Sequence, residues 1–197
     1  MLQAIVPGFA DLVRDQQRSF RAVMDALARP ARPVAYQSPV AGPAPLSPNA
    51  FAIALTLLDF EVRYHLSESL AAAEEAITFH TGSRRVTKAD EAEFAFIDLR
   101  HDRLDLAGYA QGEPEYPDRS TTIIAFVSSA INGQGFVYRG PGIAAEEHLA
   151  IADLPPDFAA QWEANRARAP LGVDLVFVTK DAILGLPRST RIIEEVR

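Results

Sequence analysis

The sequence contains no cysteine. That excludes disulfides, a thiolate nucleophile, cysteine-ligated zinc and iron–sulfur clusters held by this chain. Lysine is almost missing too: among 19 basic residues only Lys88 and Lys180 are lysines. The remainder are arginines, whose planar forks clamp phosphates or carboxylates and also serve surface ion pairs. No apolar run approaches the ~20 residues a spanning helix needs. Met1 to Val6 is too short and uncharged for a signal peptide, so the expected location is the cytoplasm. There is no block of like charges, and a net charge of −7 repels phosphate backbones, which argues against nucleic acid as a partner. Neither a G-x-S-x-G elbow nor a G-x-x-x-x-G-K-[ST] loop occurs.

What is present is an ordinary globular composition, 48% hydrophobic and 23% charged over 197 residues, enough for one domain, 1–197, with a full core. The most informative stretch runs from Ser120 to Ile143. Thr121 to Val127 is β-branched and apolar on both faces, as a strand deep inside a sheet should be. Asn132-Gly133 supplies the chemistry of a tight hairpin turn, and Phe136 to Tyr138 is expected to return beside the first strand.

Upstream, Asp15 is the expected cap of an amphipathic helix with Phe20, Val23, Met24 and Leu27 at i, i+3, i+4, i+7, stopped by Pro30. Pro33 to Gln37 suits a short edge strand. A proline-rich loop over 38–48 leads to Ser47, which caps a helix with Pro48 in its first turn. Val62 to Leu66 reads as a strand. Ser67 opens a further helix with a Leu70, Ala73, Ile77 stripe and a Gly82 stop. Phe94 to Ile97 is a strand closed by Asp98. Arg100 to Arg119 is expected to hold one short helix and a surface loop. Ala144 to Ala150 leans helical, and a helix carrying Phe158 and Trp162 follows Leu154-Pro155-Pro156-Asp157. Val173 to Val178 and Ile183 to Leu186 flank a Lys180-Asp181 turn. Ile192, Ile193 and Val196 suit a last strand. Helices and strands alternate early and hairpins dominate late, which predicts a single α/β domain, a mixed β-sheet flanked by helices.

Candidate chemistry is sparse. The histidines His65, His80, His101 and His148 lack the i, i+4 or i, i+2 spacing that lets two imidazoles share a metal, so no metal site is expected. His80 either caps a helix C-terminus, where the dipole favours a cation, or offers a polar group at a groove. Arg139-Gly140-Pro141-Gly142 either turns the chain or cradles an anion through its N–H groups and guanidinium. Arg188 and Arg191, with Ser189 and Thr190 between them, form either a phosphate contact or a solvated tail that touches another subunit. Lys180, at the end of a buried strand, is either a turn lysine in water or, if pyridoxal phosphate were used, its Schiff-base partner.

Several segments together resemble the PhnH subunit of the carbon–phosphorus lyase system. They are F-R-A-V-M-D-A-L-A-R-P (Phe20 to Pro30), F-H-T (Phe79 to Thr81), G-P-G-I-A-A-E-E (Gly140 to Glu147), P-L-G-V-D-L-V-F (Pro170 to Phe177) and L-P-R-S-T (Leu186 to Thr190). Ala31 departs from the family, which usually has glycine after this proline. The resemblance implies a fold like the large domain of pyridoxal-phosphate-dependent transferases, without the cofactor; no cofactor is expected. It implies a chain that pairs with itself or with partner subunits G, I and J. That assembly acts on alkylphosphonates, joining methylphosphonate to the ribose of ATP and displacing adenine. It supplies no catalytic residue to carry over. Two expectations follow: a subunit that shapes the complex, or one that adds a nucleotide or phosphonate contact through Arg139, Gly140 and Gly142, through Arg188 and Arg191, or beside His80. A pyridoxal enzyme built on Lys180 is a third.

Overall fold

The computed structural model describes residues 6–195. In chain order these form α1 (Leu12–Ala28), β1 (Val34–Ala35), α2 (Pro48–Leu57), β2 (Arg63–Leu66), a 3-10 segment (Glu68–Ala73) running into α3 (Glu74–Thr81), and β3 (Arg84–Arg85). After these come β4 (Phe94–Asp98), β5 (Gln111–Glu113), β6 (Tyr116–Ser120), β7 (Thr122–Phe126), β8 (Ala130–Arg139) and β9 (Glu147–Ile151). The last elements are α4 (Phe158–Arg166), β10 (Asp174–Val178), β11 (Ala182–Leu186) and β12 (Arg191–Glu195). Val196 lies outside the described residues.

Seven strands make one mixed sheet in the order β1-β11-β10-β7-β4-β2-β3. β10, β7, β4, β2 and β3 run parallel; β11 is antiparallel to both its neighbours. β7 is the middle strand, as its two-sided apolar sequence requires. Alternation along the strands sorts the core into two layers. Phe96, Ile124, Val176 and Val178 face α1, α2 and α3. Ala95, Ile97, Ile123, Ala125, Leu175 and Phe177 face α4 and the strands β8 and β9. The expected mixed α/β sheet is therefore present, with helices on both faces.

Local signals explain most element boundaries. Ser47 accepts from the Ala50 N–H at 3.2 Å with Pro48 at the first helical position, and Gly82 closes α3 at φ 69°. α1 begins one turn earlier than expected. Asp11 is its cap, accepting from Arg14 N at 3.1 Å, while Asp15 accepts from Asp11 N at 3.2 Å, so the two carboxylates cap reciprocally. Ser67 precedes the 3-10 segment but makes no side-chain cap bond. Ala31 has φ 58°, a conformation that costs an L-residue and suits glycine, so its departure from the family pattern falls where backbone freedom matters.

Three expectations fail in the second half. Asn132-Gly133 is not a hairpin turn: it lies inside β8, where the pairing with β9 shifts register between Asn132 and Phe136. β7 and β8 do not pair, because the chain passes from the main sheet into a second, three-stranded sheet of order β12-β8-β9. The segment from Ala144 to Ala150 is not helical. Its second half forms β9, where Leu149 and Ile151 turn inward at period 2 and pairing with β8 overrides helix propensity. The loop after β4 holds its short helix, Leu106–Gly108, and also an unforeseen β5–β6 hairpin.

α1 crosses β11 at a glycine. A Cβ built on Gly185 would stand 2.6 Å from Ala26 O and 2.8 Å from Leu27 Cα, both backbone atoms that cannot swing aside. Gly185→Val should therefore lift α1 off the sheet and lower stability by about 2–3 kcal/mol in urea unfolding; a loss under about 0.5 kcal/mol would show that the helix is not held so closely.

Candidate functional site

The residues singled out from sequence fall into separate places. Arg139 and Arg191 are brought directly opposite each other, Cα partners in the β8–β12 pairing. Gly140, at φ 150°, packs on Ser189 and Thr190, so the glycine turn and the Pro187–Arg191 segment form one neighbourhood. Both guanidiniums are exposed there; Arg139 is ion-paired with Glu146. Gly142, at φ 84°, is pressed against the backbone of Ala28 and the ring of Pro30, where a side chain has no room.

Arg188 is committed elsewhere. Its guanidinium donates to Asp174 at 2.5 Å and to Ser120 Oγ at 2.5 Å, and also to the carbonyls of Pro117 and Pro170 at 3.2 and 3.3 Å. Its own N–H donates to Asp174 Oδ1 at 2.7 Å. One side chain thus ties the start of β10 to the end of β6 and to the turn after α4. His80 sits on the opposite face of the sheet, on α3. Its Nε2 is 2.7 Å from Val6 O and its ring packs edge-on to Phe51 and Phe79, so it pins the N-terminal segment. Among the described residues no group of three or more His, Asp or Glu side chains is placed to hold a metal, and no helix is long and apolar enough to cross a membrane.

A different place has the form of a site. At the carboxyl ends of β4, β7 and β10 lies a cleft of about 610 Å³, lined among others by Val40, Pro48, Asn49, Arg100, Phe126 and Lys180. Open α/β sheets place ligands at this end of their strands. Its frame is rigid. Asn49, 3% exposed, accepts from Ser38 N at 2.8 Å, and the two hydrogens of its amide are shared among the carbonyls of Tyr36, Thr179 and Lys180 at 3.2, 3.0 and 3.1 Å. Thr179 Oγ1 accepts from Ala182 N at 3.0 Å and donates to Asp181 Oδ1 at 3.0 Å, shaping the turn that carries Lys180.

On the other wall, Arg100 lies over the Phe126 ring, 4.2 Å from its centroid. Its fork grips Asp98 through Nε at 2.9 Å and Nη2 at 2.7 Å. Burial pushes the Asp98 carboxyl up, but the fork, the Arg100 N–H and the guanidinium charge outweigh it and hold the group below its ordinary value. Of these residues only Lys180 stood out in the sequence. The signal available for the others was position: Asp98, Arg100, Phe126 and Thr179 end or follow strands that were readable from their apolar runs.

The family model of the bacterial phosphonate metabolism protein PhnH matches residues 7–193. The chain belongs to the PhnH family. It is 40% identical over 189 residues to the alpha-D-ribose 1-methylphosphonate 5-triphosphate synthase subunit PhnH of Rhizobium meliloti strain 1021, covering 95% of this chain and 94% of that relative. It is 32% identical over 177 residues to a Stutzerimonas stutzeri protein named as the C-P lyase subunit protein HtxG, covering 90% of this chain and 85% of that one. The segments that carried the family resemblance serve mainly as framework: F-H-T anchors the N-terminal segment, and L-P-R-S-T holds the Arg188 clamp.

Two consequences of this PhnH-family architecture are measurable. Arg188→Ala should cost about 2–3 kcal/mol in urea unfolding, because it strands the half-buried Asp174 carboxylate, whereas Arg191→Ala should change stability by less than about 0.5 kcal/mol. Equal effects would contradict the division between clamp and surface. Asp98, with its folded-state value depressed, contributes stability that is full above the unfolded value near ~3.9 and is lost as pH falls through the folded one. The stability gap between wild type and Asp98→Asn should therefore be widest near neutrality and shrink below about pH 4. A gap that stays constant with pH would remove the ion pair from the balance.

Proposed function

We propose that the chain is a subunit of a carbon–phosphorus lyase assembly in alkylphosphonate catabolism, an alpha-D-ribose 1-methylphosphonate 5-triphosphate synthase subunit whose work is mainly structural. The likeness to a subunit of that name over 95% of the chain is the observation that carries this reading. On it, 1–197 is one cytoplasmic domain with the fold of a pyridoxal-transferase large domain that has no cofactor, working within a transferase complex. It docks on subunits G, I and J and pairs with itself when isolated.

The docking face we assign is the outer stripe of α1. Val23, Ala22 and Ala26 turn inward, which leaves Val13, Phe20 and Met24 at i, i+7, i+11 on one side, 68%, 49% and 50% exposed. Large apolar side chains aligned in this way belong to surfaces that another protein covers. α4 offers no such stripe, since its Phe158 and Trp162 are fully buried against the sheet.

A second reading adds a nucleotide or phosphonate contact to the complex's transferase site. The opposed Arg139 and Arg191 favour it, since two exposed arginines at paired positions, one of them also pairing with Glu146, gather positive charge on one sheet edge. Both readings meet one experiment. Phe20→Glu with Met24→Glu should convert the isolated chain from dimer to monomer in sedimentation and abolish co-purification with G, I and J, with its melting curve unchanged. An unchanged dimer and an intact complex would dismiss α1 as the docking face. Synthase activity undiminished in a G–I–J assembly lacking this chain would dismiss the structural role itself.

A further inference from the structure

We infer that the cleft at the carboxyl ends of β4, β7 and β10 binds a small molecule carrying a tetrahedral oxyanion, a phosphate or phosphonate, with Lys180 as its anchor. The size fits: about 610 Å³ lies within the range of small-ligand sites. The position fits, since the cleft lies off the carboxyl ends of three adjacent parallel strands. Neither feature depends on the α1 stripe or on the Arg139–Arg191 pair.

The lining decides the ligand's sign. Two basic side chains line the cleft, Lys180 and Arg100, and Arg100 is already paired with Asp98. No carboxylate lines the cleft: Asp98 neutralises Arg100 from beneath, and Asp153 and Asp181 stand outside the wall, hydrogen-bonded by Ser128 N at 2.6 Å and Thr179 Oγ1 at 3.0 Å, so the uncompensated charge of the lining is that of Lys180. Among the described residues Lys180 has no ion-pair partner, although Asp181 is its neighbour in sequence. An ammonium at the mouth of an apolar-walled cleft is an anion acceptor with a strengthened field. The first turn of α2, with Pro48 and Asn49 in the wall, adds its partial positive charge.

Preorganisation separates this place from a chance lysine on a loop. Asn49 holds the Lys180 carbonyl at 3.1 Å and that of Thr179 at 3.0 Å, and the Thr179 hydroxyl fixes the turn from below. The base of the lysine is thus fixed before a ligand arrives, which lowers the ordering cost of binding. Val40, Pro48 and Phe126 offer an apolar wall for the body of the molecule, and Arg100 over Phe126 offers a flat cationic surface on which a planar ring can stack. The oxyanion is the shared element; whether it arrives on a phosphonate, on inorganic phosphate or on a nucleotide is separable by titration.

The test is calorimetric titration of the full-length chain with inorganic phosphate, methylphosphonate and ATP in turn. At least one should bind at one site per chain. Lys180→Met, a substitution at an exposed position, should weaken that binding about tenfold or more and leave the melting curve unchanged. Arg139→Ala should bind as wild type does, which keeps the result apart from the second reading above. Similar affinity for all three assigns recognition to the oxyanion alone. A clear preference for ATP adds the ring-stacking wall, and one for methylphosphonate adds the apolar wall. No binding of any of the three at millimolar concentration, or undiminished binding by Lys180→Met, would overturn the inference.

Discussion

Asn49, itself buried, has four hydrogen-bond contacts, two of them in fully buried surroundings. The first turn of α2, the chain leaving β1 and the β10–β11 turn meet at this one amide. The carbonyls of Tyr36 and Thr179 that it satisfies are buried, and leaving such a group unpaired costs more than the modest net gain of an ordinary hydrogen bond. The constraint is geometric as much as energetic. A helix of apolar residues, with Asn49 to Ala54 all buried, could slide along an apolar sheet at little cost if nothing polar fixed its register. The amide fixes it, and in doing so holds the wall of the cleft that carries Lys180.

The same economy of polar anchors recurs at the other ends of the strands. Arg188 gathers Asp174, Ser120 and two carbonyls, and Asn165 bonds both the N–H and the C=O of Val173 at 2.8 and 2.9 Å. These side chains fasten the entry to β10, as Asn49 fastens its exit. A chain so rich in arginine therefore spends part of its positive charge on its own framework. Charged pairs such as Arg63–Glu93, Arg100–Asp98 and Arg188–Asp174 close the sheet's two rims, and an arginine count alone says nothing about anion binding.

Much of the first half was legible in the residues. Ser47-Pro48 and Gly82 act locally, through backbone geometry, so their signals survive folding unchanged. β7 and β10 were legible because burial on both faces demands an unbroken apolar run. The second half was less legible because its structure is decided by partners far away in sequence. Asn132-Gly133 has the chemistry of a hairpin turn, yet β9 pairs with β8 on both sides of that dipeptide, which is absorbed as an irregularity between Asn132 and Phe136. Glu146-Glu147-His148 favours a helix in isolation, while the alternation of Leu149 and Ile151, visible in the sequence, records the strand that tertiary pairing selects.

The cleft was illegible for a related reason. Its walls come from residues 37–49, 100, 126–128 and 179–180, and no pair of these segments forms a motif. They meet only because parallel strands deliver their carboxyl ends to one rim, so knowing the strand order is what converts four unremarkable strand endings into one surface. Phe20 and Val23 make the converse point. Both belong to the same apolar stripe by spacing, yet Val23 is 4% exposed and Phe20 is 49%. Periodicity places a side chain on a face of a helix; what lies against that face is a property of the whole fold. In this chain the sheet takes only part of α1's apolar surface, and Val13, Phe20 and Met24 stay exposed on the other side.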